Sequence, residues 1–302
     1  MTERQRQAAS RLFCFGLGYT GAALAGALRS EGWKVAGTCR SPAKRALQID
    51  AGIEAHLFDR DRPLDAAPAV LEEASHLLSS VPPDAHGDPV IDLHFFDLAR
   101  LENLAWVGYL SSTAVYGDRE GAWVDETSKP RPTGEAGKRR LEAEKRWLDL
   151  WHGFGVPVHI FRLSGIYGPG RNVLDRLREG RAQRIRKPGQ VFGRIHLDDI
   201  VSSLKGSIAR PNAGAIYNLS DDLPAPPDEV VLYASTLLGL PPPPETPFDE
   251  AELSAQARDF YGENKRVANR RIKEELGIQL RYPDYRSGLE SLLDETARPL
   301  PS

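Results

Sequence analysis

Sulfur is scarce in this chain: two cysteines and one methionine among 302 residues. Cys14 and Cys39 both lie in apolar, strand-like stretches, which argues against a disulfide framework and fits a reducing compartment. No apolar run approaches the roughly 18 residues that a membrane-spanning helix needs. The opening MTERQRQAAS is polar and charged, without the apolar core of a secretory signal. Charge of one sign is lacking as well. A net charge of −3 sets up no global field towards nucleic acid or acidic lipid. Metal-ligand spacing is also missing. His196 precedes Asp198 and Asp199 at a strand-to-helix junction, where Asp198 reads more simply as a helix cap. These absences leave a cytoplasmic globular protein that works on small molecules.

What is present supports a large core. Apolar residues make up 41% of the chain and charged residues 27%, enough for one large α/β domain or one domain with a smaller partner. Strand and helix patterns alternate through the first half. Strands are expected at 11–16, 33–40, 54–59, 76–80, 105–112 and 156–163, with helices at 20–31, 65–74, 91–101 and 136–151. This alternation predicts a doubly wound parallel sheet of Rossmann type. Beyond Gly165 the pattern loosens into a short helix at 172–180, a basic hairpin over 181–200, a helix at 198–208 and a strand at 215–219. Proline clusters follow. Residues 10–165, with 191–220 returning, are expected to form the dinucleotide-binding domain. Residues 166–190 and 221–302 are expected to form a smaller α/β substrate subdomain, with a helix started by Asn264 and ended by Gly277.

The first strand runs into Gly16-Leu17-Gly18-Tyr19-Thr20-Gly21, a G-x-G-x-x-G turn. One glycine permits the turn, one lets backbone approach a pyrophosphate, and one brings helix against strand. N–H groups at the helix start, with the positive end of its dipole, favour phosphate, which points to Tyr19 and Thr20. Glycines also cluster in ordinary turns, but here an apolar strand precedes the motif and a small-residue helix follows it. The second strand ends Cys39-Arg40-Ser41, without the carboxylate that usually receives the ribose hydroxyls of NAD. A guanidinium and a hydroxyl there suit a 2′-phosphate, so NADP is expected in preference to NAD. The alternative reading of Arg40 is stacking on adenine or facing solvent. Asp59 ends the third strand, at the adenine edge or in a surface turn, and Ser80 ends the fourth.

Four further strings carry a resemblance. Ser111-Ser112-Thr113-Ala114-Val115-Tyr116-Gly117 resembles the S-S-x-x-V-Y-G signature of extended short-chain dehydrogenases/reductases, the NAD-dependent epimerase/dehydratase family. Arg162 to Arg171 resembles R-x-x-G-x-Y-G-P-G, Ile195 to Asp199 resembles I-H-V-D-D, and Pro132 to Glu144 keeps the frame of P-x-x-x-Y-G-x-S-K-L-x-A-E. The likeness is greatest to the atypical, YeeZ-like branch. It implies a nicotinamide cofactor, a nucleotide-sugar-like substrate and dimerisation through the helix around 136–151. It also exposes a departure. Ala136 stands where the family has its catalytic tyrosine, and Arg140 where it has lysine. An alanine methyl transfers no proton, whereas Arg140 can still bond a ribose and hold a positive charge. Ser112 matches the family's catalytic serine, although a strand-end serine can simply satisfy backbone. Tyr116 and Tyr167 are the nearest replacement acids.

Other features have simpler readings. The basic stretch from Arg171 to Arg194 could bind substrate phosphates or form a solvated surface. Trp123, Trp147 and Trp151 read as core or interface packing. Two functions stay open: an NADP-dependent oxidoreductase or epimerase with a non-standard active site, or a non-catalytic NADP-binding sensor or scaffold.

Overall fold

The computed structural model describes residues 10–295; residues 1–9, and 296–302 at the end of the expected substrate subdomain, lie outside the described residues. Two compact units are present. One comprises the chain up to Ser111, Lys138–Arg162 and Val201–Tyr217; the other comprises Ser112–Gly137, Leu163–Ile200 and the chain from Asn218 onward.

In chain order the sheet strands and their helices are β1 (Arg11–Phe15), α1 (Tyr19–Ser30), β2 (Lys34–Cys39), α2 (Pro42–Asp50), β3 (Glu54–Leu57), α3 (Ala67–Glu72), β4 (His76–Ser79), α4 (Pro89–Ala99) and β5 (Trp106–Ser112). They continue as α5 (Glu135–Phe154), β6 (Val158–Leu163), α6 (Leu197–Ala209) and β7 (Ile216–Leu219). The seven strands form one parallel sheet in the order β7-β6-β5-β4-β1-β2-β3. This is the doubly wound arrangement that the alternating pattern predicts. All five residues of β1 are buried, because helices cover both faces of a parallel sheet. Phe13, Phe15, Leu77, Val107, Trp147 and Ile160 belong to its core. Strand order reverses between β1 and β4, so a crevice opens beyond their carboxyl ends.

The second unit has its own core, in which Leu174, Val230, Val231, Tyr285 and Leu289 pack together. Here the sequence reading needs correction. The expected basic hairpin does not form. Arg184–Arg186 pairs in parallel with Glu245–Pro247, and Arg194–His196 with Gly165–Tyr167. Charge explains the first pairing, since both Arg184 and Arg186 reach Glu245. The helix expected from Asn264 begins only at Arg270. Asn264 is instead a loop hub: its carbonyl accepts the Arg119 and Gly121 N–H groups, and its Oδ1 accepts that of Val191. Arg266–Val267 is a strand paired with Trp123–Val124. Trp123 is 59% exposed and is no core residue, whereas Trp147 is fully buried.

Asp198 does not cap its helix. Its own N–H is accepted by His196 Nδ1 (3.2 Å), so the imidazole does the capping. Asp199, one residue on, accepts the N–H groups of Arg281 and Tyr282 (2.7 and 3.0 Å).

Candidate functional site

The glycine turn closes β1 and opens α1. Gly16 has φ +88°, a left-handed conformation that glycine adopts without strain. A side chain there would also stand 2.8 Å from Ser80 Oγ. Ser80 donates that hydroxyl to Gly16 O (2.5 Å), so the serine that ends the β4 segment braces the turn. At Gly21 a Cβ would lie 2.5 Å from Gly16 O and 2.8 Å from Cys14 Sγ, which fixes how closely α1 sits on β1. Gly18 is different: a Cβ there would meet nothing within 4 Å. No internal packing requires a glycine at that position. What the missing side chain provides is open space over backbone.

The N-terminus of α1 faces this space. Its N-cap is Gly18, no side chain caps it, and its first turn contains no acidic residue. The positive end of the helix dipole there favours an incoming anion. Tyr19, Thr20 and Gly21 supply that first turn. The residues present fit a dinucleotide pyrophosphate.

Around the carboxyl ends of β2 and β3, Arg40 and Ser41 are exposed. The Arg40 carbonyl accepts from Arg62 (2.9 Å), while its guanidinium is left to solvent. Ser41 caps α2 by accepting the Lys44 N–H (3.2 Å), which still leaves its O–H to donate. Asp59 is paired with Arg62 (2.5 Å), so its charge is offset locally.

Beneath the site, β5 carries Tyr109, Leu110 and Ser111. Arg140, from α5, donates through one terminal nitrogen to Leu110 O (2.7 Å) and Tyr109 Oη (3.2 Å). Burial pushes the Tyr109 phenol above its usual range, opposed by the nearby charge of Arg140. Ser112 ends β5 and accepts the Ala114 N–H (3.2 Å), keeping its O–H proton for another acceptor. Ala136 is exposed. Its neighbour Gly137 is needed: a Cβ there would lie 2.6 Å from Ala114 O. Tyr116 is fully buried and donates its hydroxyl to Asn218 Oδ1 (2.8 Å). Burial, followed by the charge of Asp221, raises the Tyr167 phenol, opposite to what an acid–base tyrosine needs.

Sequence reasoning passed over a buried triad. Glu144 accepts Ser111 Oγ (2.5 Å) and both Arg162 Nε (3.0 Å) and Nη2 (2.7 Å), joining β5, α5 and β6. A signal was present. Glu144 interrupts the apolar face of α5, and Arg162 interrupts the otherwise apolar VHIFRL strand; each buried charge calls for a partner. Four residues of the basic stretch are paired with acids. Arg178 meets Asp175, Arg181 meets Glu179, and Arg184 and Arg186 meet Glu245. Among the described residues no cluster of three or more metal-ligating side chains occurs, and no helix is long and apolar enough to cross a membrane.

A parallel seven-stranded sheet with an open glycine turn at its reversal point defines a Rossmann-type nucleotide-binding protein. Residues 16–220 match the model of the NAD dependent epimerase/dehydratase family, and the chain belongs to that family. It is 31% identical over 284 residues to protein YeeZ of Escherichia coli K12, covering 89% of this chain and 95% of YeeZ. A functionally unknown conserved protein from Silicibacter pomeroyi superposes with a TM-score of 0.87 at 48% identity, covering 95% of this chain and 99% of that one. The UDP-glucuronic acid 4-epimerase of Bacillus cereus, solved with UDP-glucuronic acid and NAD, superposes with a TM-score of 0.75 at 17% identity, over 95% of this chain and 99% of that one. That last likeness is one of fold.

Proposed function

We propose that the crevice at the carboxyl ends of β1, β2 and β4 binds NADP. On this reading the chain is an oxidoreductase or epimerase acting on a carbinol of a nucleotide-linked or sugar-like molecule, through a non-standard active site. Support comes above all from the open space at Gly18 before an uncapped helix. Arg40 adds an unengaged guanidinium at the end of β2, where a carboxylate would select NAD.

When bound, the dinucleotide supplies a nicotinamide ring that accepts or returns a hydride. The chain's own residues do the rest. The turn from Gly18 to Gly21 and the helix dipole behind it hold the pyrophosphate, with Ser80 fixing the turn. Arg40 and Ser41 take the 2′-phosphate, and Asp59 borders the adenine. Ser112 donates its O–H to the substrate oxygen, and Arg140 holds positive charge and bonds the ribose. With Tyr116 engaged and Tyr167 raised, proton exchange is left to solvent at the exposed Ala136 end. The same reading makes the protein cytoplasmic, and a homodimer through α4 and α5, where Phe96 is 67% exposed.

Ala136 favours one other reading, a non-catalytic NADP-binding sensor or scaffold. Fluorescence titration tests the cofactor assignment. NADPH is expected to bind more tightly than NADH, and Arg40→Glu to weaken NADPH about tenfold or more while sparing NADH. Tighter NADH in the native protein would overturn it. Following nicotinamide absorbance with UDP-glucose and UDP-glucuronic acid separates the readings. Turnover that Ser112→Ala abolishes, with NADPH affinity unchanged, supports an enzyme; no turnover with either leaves the sensor. Ala136→Tyr combined with Arg140→Lys should raise activity only if the enzyme reading holds.

A further inference from the structure

Arg140 and Trp147 lie two helical turns apart on α5, so their side chains share a face. Tyr109 of β5 meets both. Its ring stacks on Trp147, with 5.5 Å between centroids and 21° between planes. Its hydroxyl meets the guanidinium: Arg140 Nη1 donates to Tyr109 Oη (3.2 Å) and to Leu110 O (2.7 Å). Trp147 is pinned in turn. Its Nε1 donates to Asp88 Oδ2 (3.1 Å), while Asp88 Oδ1 accepts the N–H groups of Val90 and Ile91 (2.9 and 3.2 Å) at the start of α4. Tyr109, Trp147 and Asp88 are all buried. A fixed column of side chains therefore ends at a half-buried arginine.

The chemistry of the two acceptors matters. A guanidinium carries five N–H donors on a long, flexible stem. Both bonds are made by Nη1, which leaves the edge formed by Nε and Nη2 to a ligand. Both acceptors are also neutral, because burial pushes the Tyr109 phenol up and Oη keeps its proton. A carboxylate in that place would hold the guanidinium as firmly but offset its charge, as Glu144 does for Arg162. A phenol and a peptide carbonyl fix the direction of Arg140 and leave its positive charge whole. Packing alone gives no reason for the hydroxyl. Phenylalanine would fill the same space against Trp147 without a polar atom to bury.

We propose that Tyr109 is a positioning residue: its phenol oxygen holds Arg140 so that the free Nε and Nη2 edge meets the hydroxyls of the nicotinamide ribose. This rests on the reading of the crevice as a dinucleotide site and adds the residue that aims its arginine.

Calorimetric titration of the full chain with NADPH, and with adenosine 2′,5′-diphosphate, which lacks the nicotinamide ribose, tests it. The native protein is expected to bind NADPH more tightly than the bisphosphate. Tyr109→Phe should weaken NADPH about fivefold and leave affinity for the bisphosphate the same. In an Arg140→Ala background, Tyr109→Phe should have no further effect. A purely structural tyrosine would move both ligands together, in either background. A loss of NADPH affinity that is equal with and without Arg140, or a Tyr109→Phe variant that binds NADPH as the native chain does, overturns the positioning role. The nicotinamide ribose is common to both cofactors, so NADH and ADP replace the first pair where the native chain prefers NADH. The 2′-phosphate reading can thus fail while the role of Tyr109 is still decided. Failure of the native chain to bind any of the four compounds overturns the dinucleotide site, and this proposal with it. A crystal of the native chain with bound cofactor needs no variant. Arg140 Nη1 on Tyr109 and Leu110, with Nε or Nη2 at the ribose, is the expected arrangement, and a guanidinium swung away from Tyr109 would sink the proposal.

Discussion

At the scale of single residues, two glycines three positions apart do opposite work. Gly21 is required by packing, because its hydrogen faces the Gly16 carbonyl and the Cys14 sulfur. Gly21→Ala should destabilise the protein by about 1–3 kcal/mol, since the obstructing atoms include backbone. Gly18 has no such neighbour, so Gly18→Ala should lower stability by less than about 1 kcal/mol, the cost of a poorer helix cap. It should nevertheless weaken dinucleotide binding about tenfold by placing a methyl where pyrophosphate must approach. Thermal melts and NADPH titrations of the two variants check the contrast. Equal effects on both measurements would mean that the turn is structural alone. The motif was readable in the sequence, but which glycine is packed and which faces open space was not. That division depends on Ser80 and Cys14, and Ser80 is 59 residues or more from any of these glycines.

At the scale of elements, β5, α5 and β6 are joined by the Ser111–Glu144–Arg162 triad. Both charged side chains are only 3% exposed. Removing one partner strands a buried charge, so Glu144→Gln or Arg162→Met should each cost about 3–5 kcal/mol. Replacing both with apolar residues, Glu144→Leu with Arg162→Met, should recover much of that loss, because the desolvation cost disappears together with the pairing. Urea unfolding of the three variants measures this; additive losses in the double variant would refute a coupled pair. Periodicity located α5 to within a few residues, since its apolar stripe faces the sheet. Cap signals failed for the stretch after Gly262, where Asn264 as a start and Gly277 as an end suggested one helix. There Asn264 and the Arg266–Val267 strand take their conformation from Arg119, Gly121 and Trp123–Val124, partners far away in sequence.

For the whole molecule, buried histidines set an acid limit. Burial lowers His76 and His159 from 6.5 to about 4. His159 also accepts the Asn212 N–H through Nε2 (2.9 Å), a bond only the neutral ring can make. The native state thus resists a proton that the unfolded chain takes up. Stability from these groups is full above about pH 6.5 and falls as pH drops towards about 4. Asp88, whose carboxyl burial raises, acts in the opposite sense and regains stability on acidification. The His159→Gln variant isolates the histidine contribution. Its melting temperature should fall less than that of the native chain between pH 7 and pH 4.5, and parallel curves would refute the assignment.

The sequence by itself determined the alternation of strand and helix, the glycine turn and the family strings. All of these are local or periodic, and local backbone preference and apolar spacing suffice to express them. Only the tertiary structure decided that Tyr116 is committed to Asn218 and that Asp199 rather than Asp198 anchors the 281–282 segment. Each of these depends on whether a distant segment brings a donor to a buried polar group, and spacing along a chain holds no record of that.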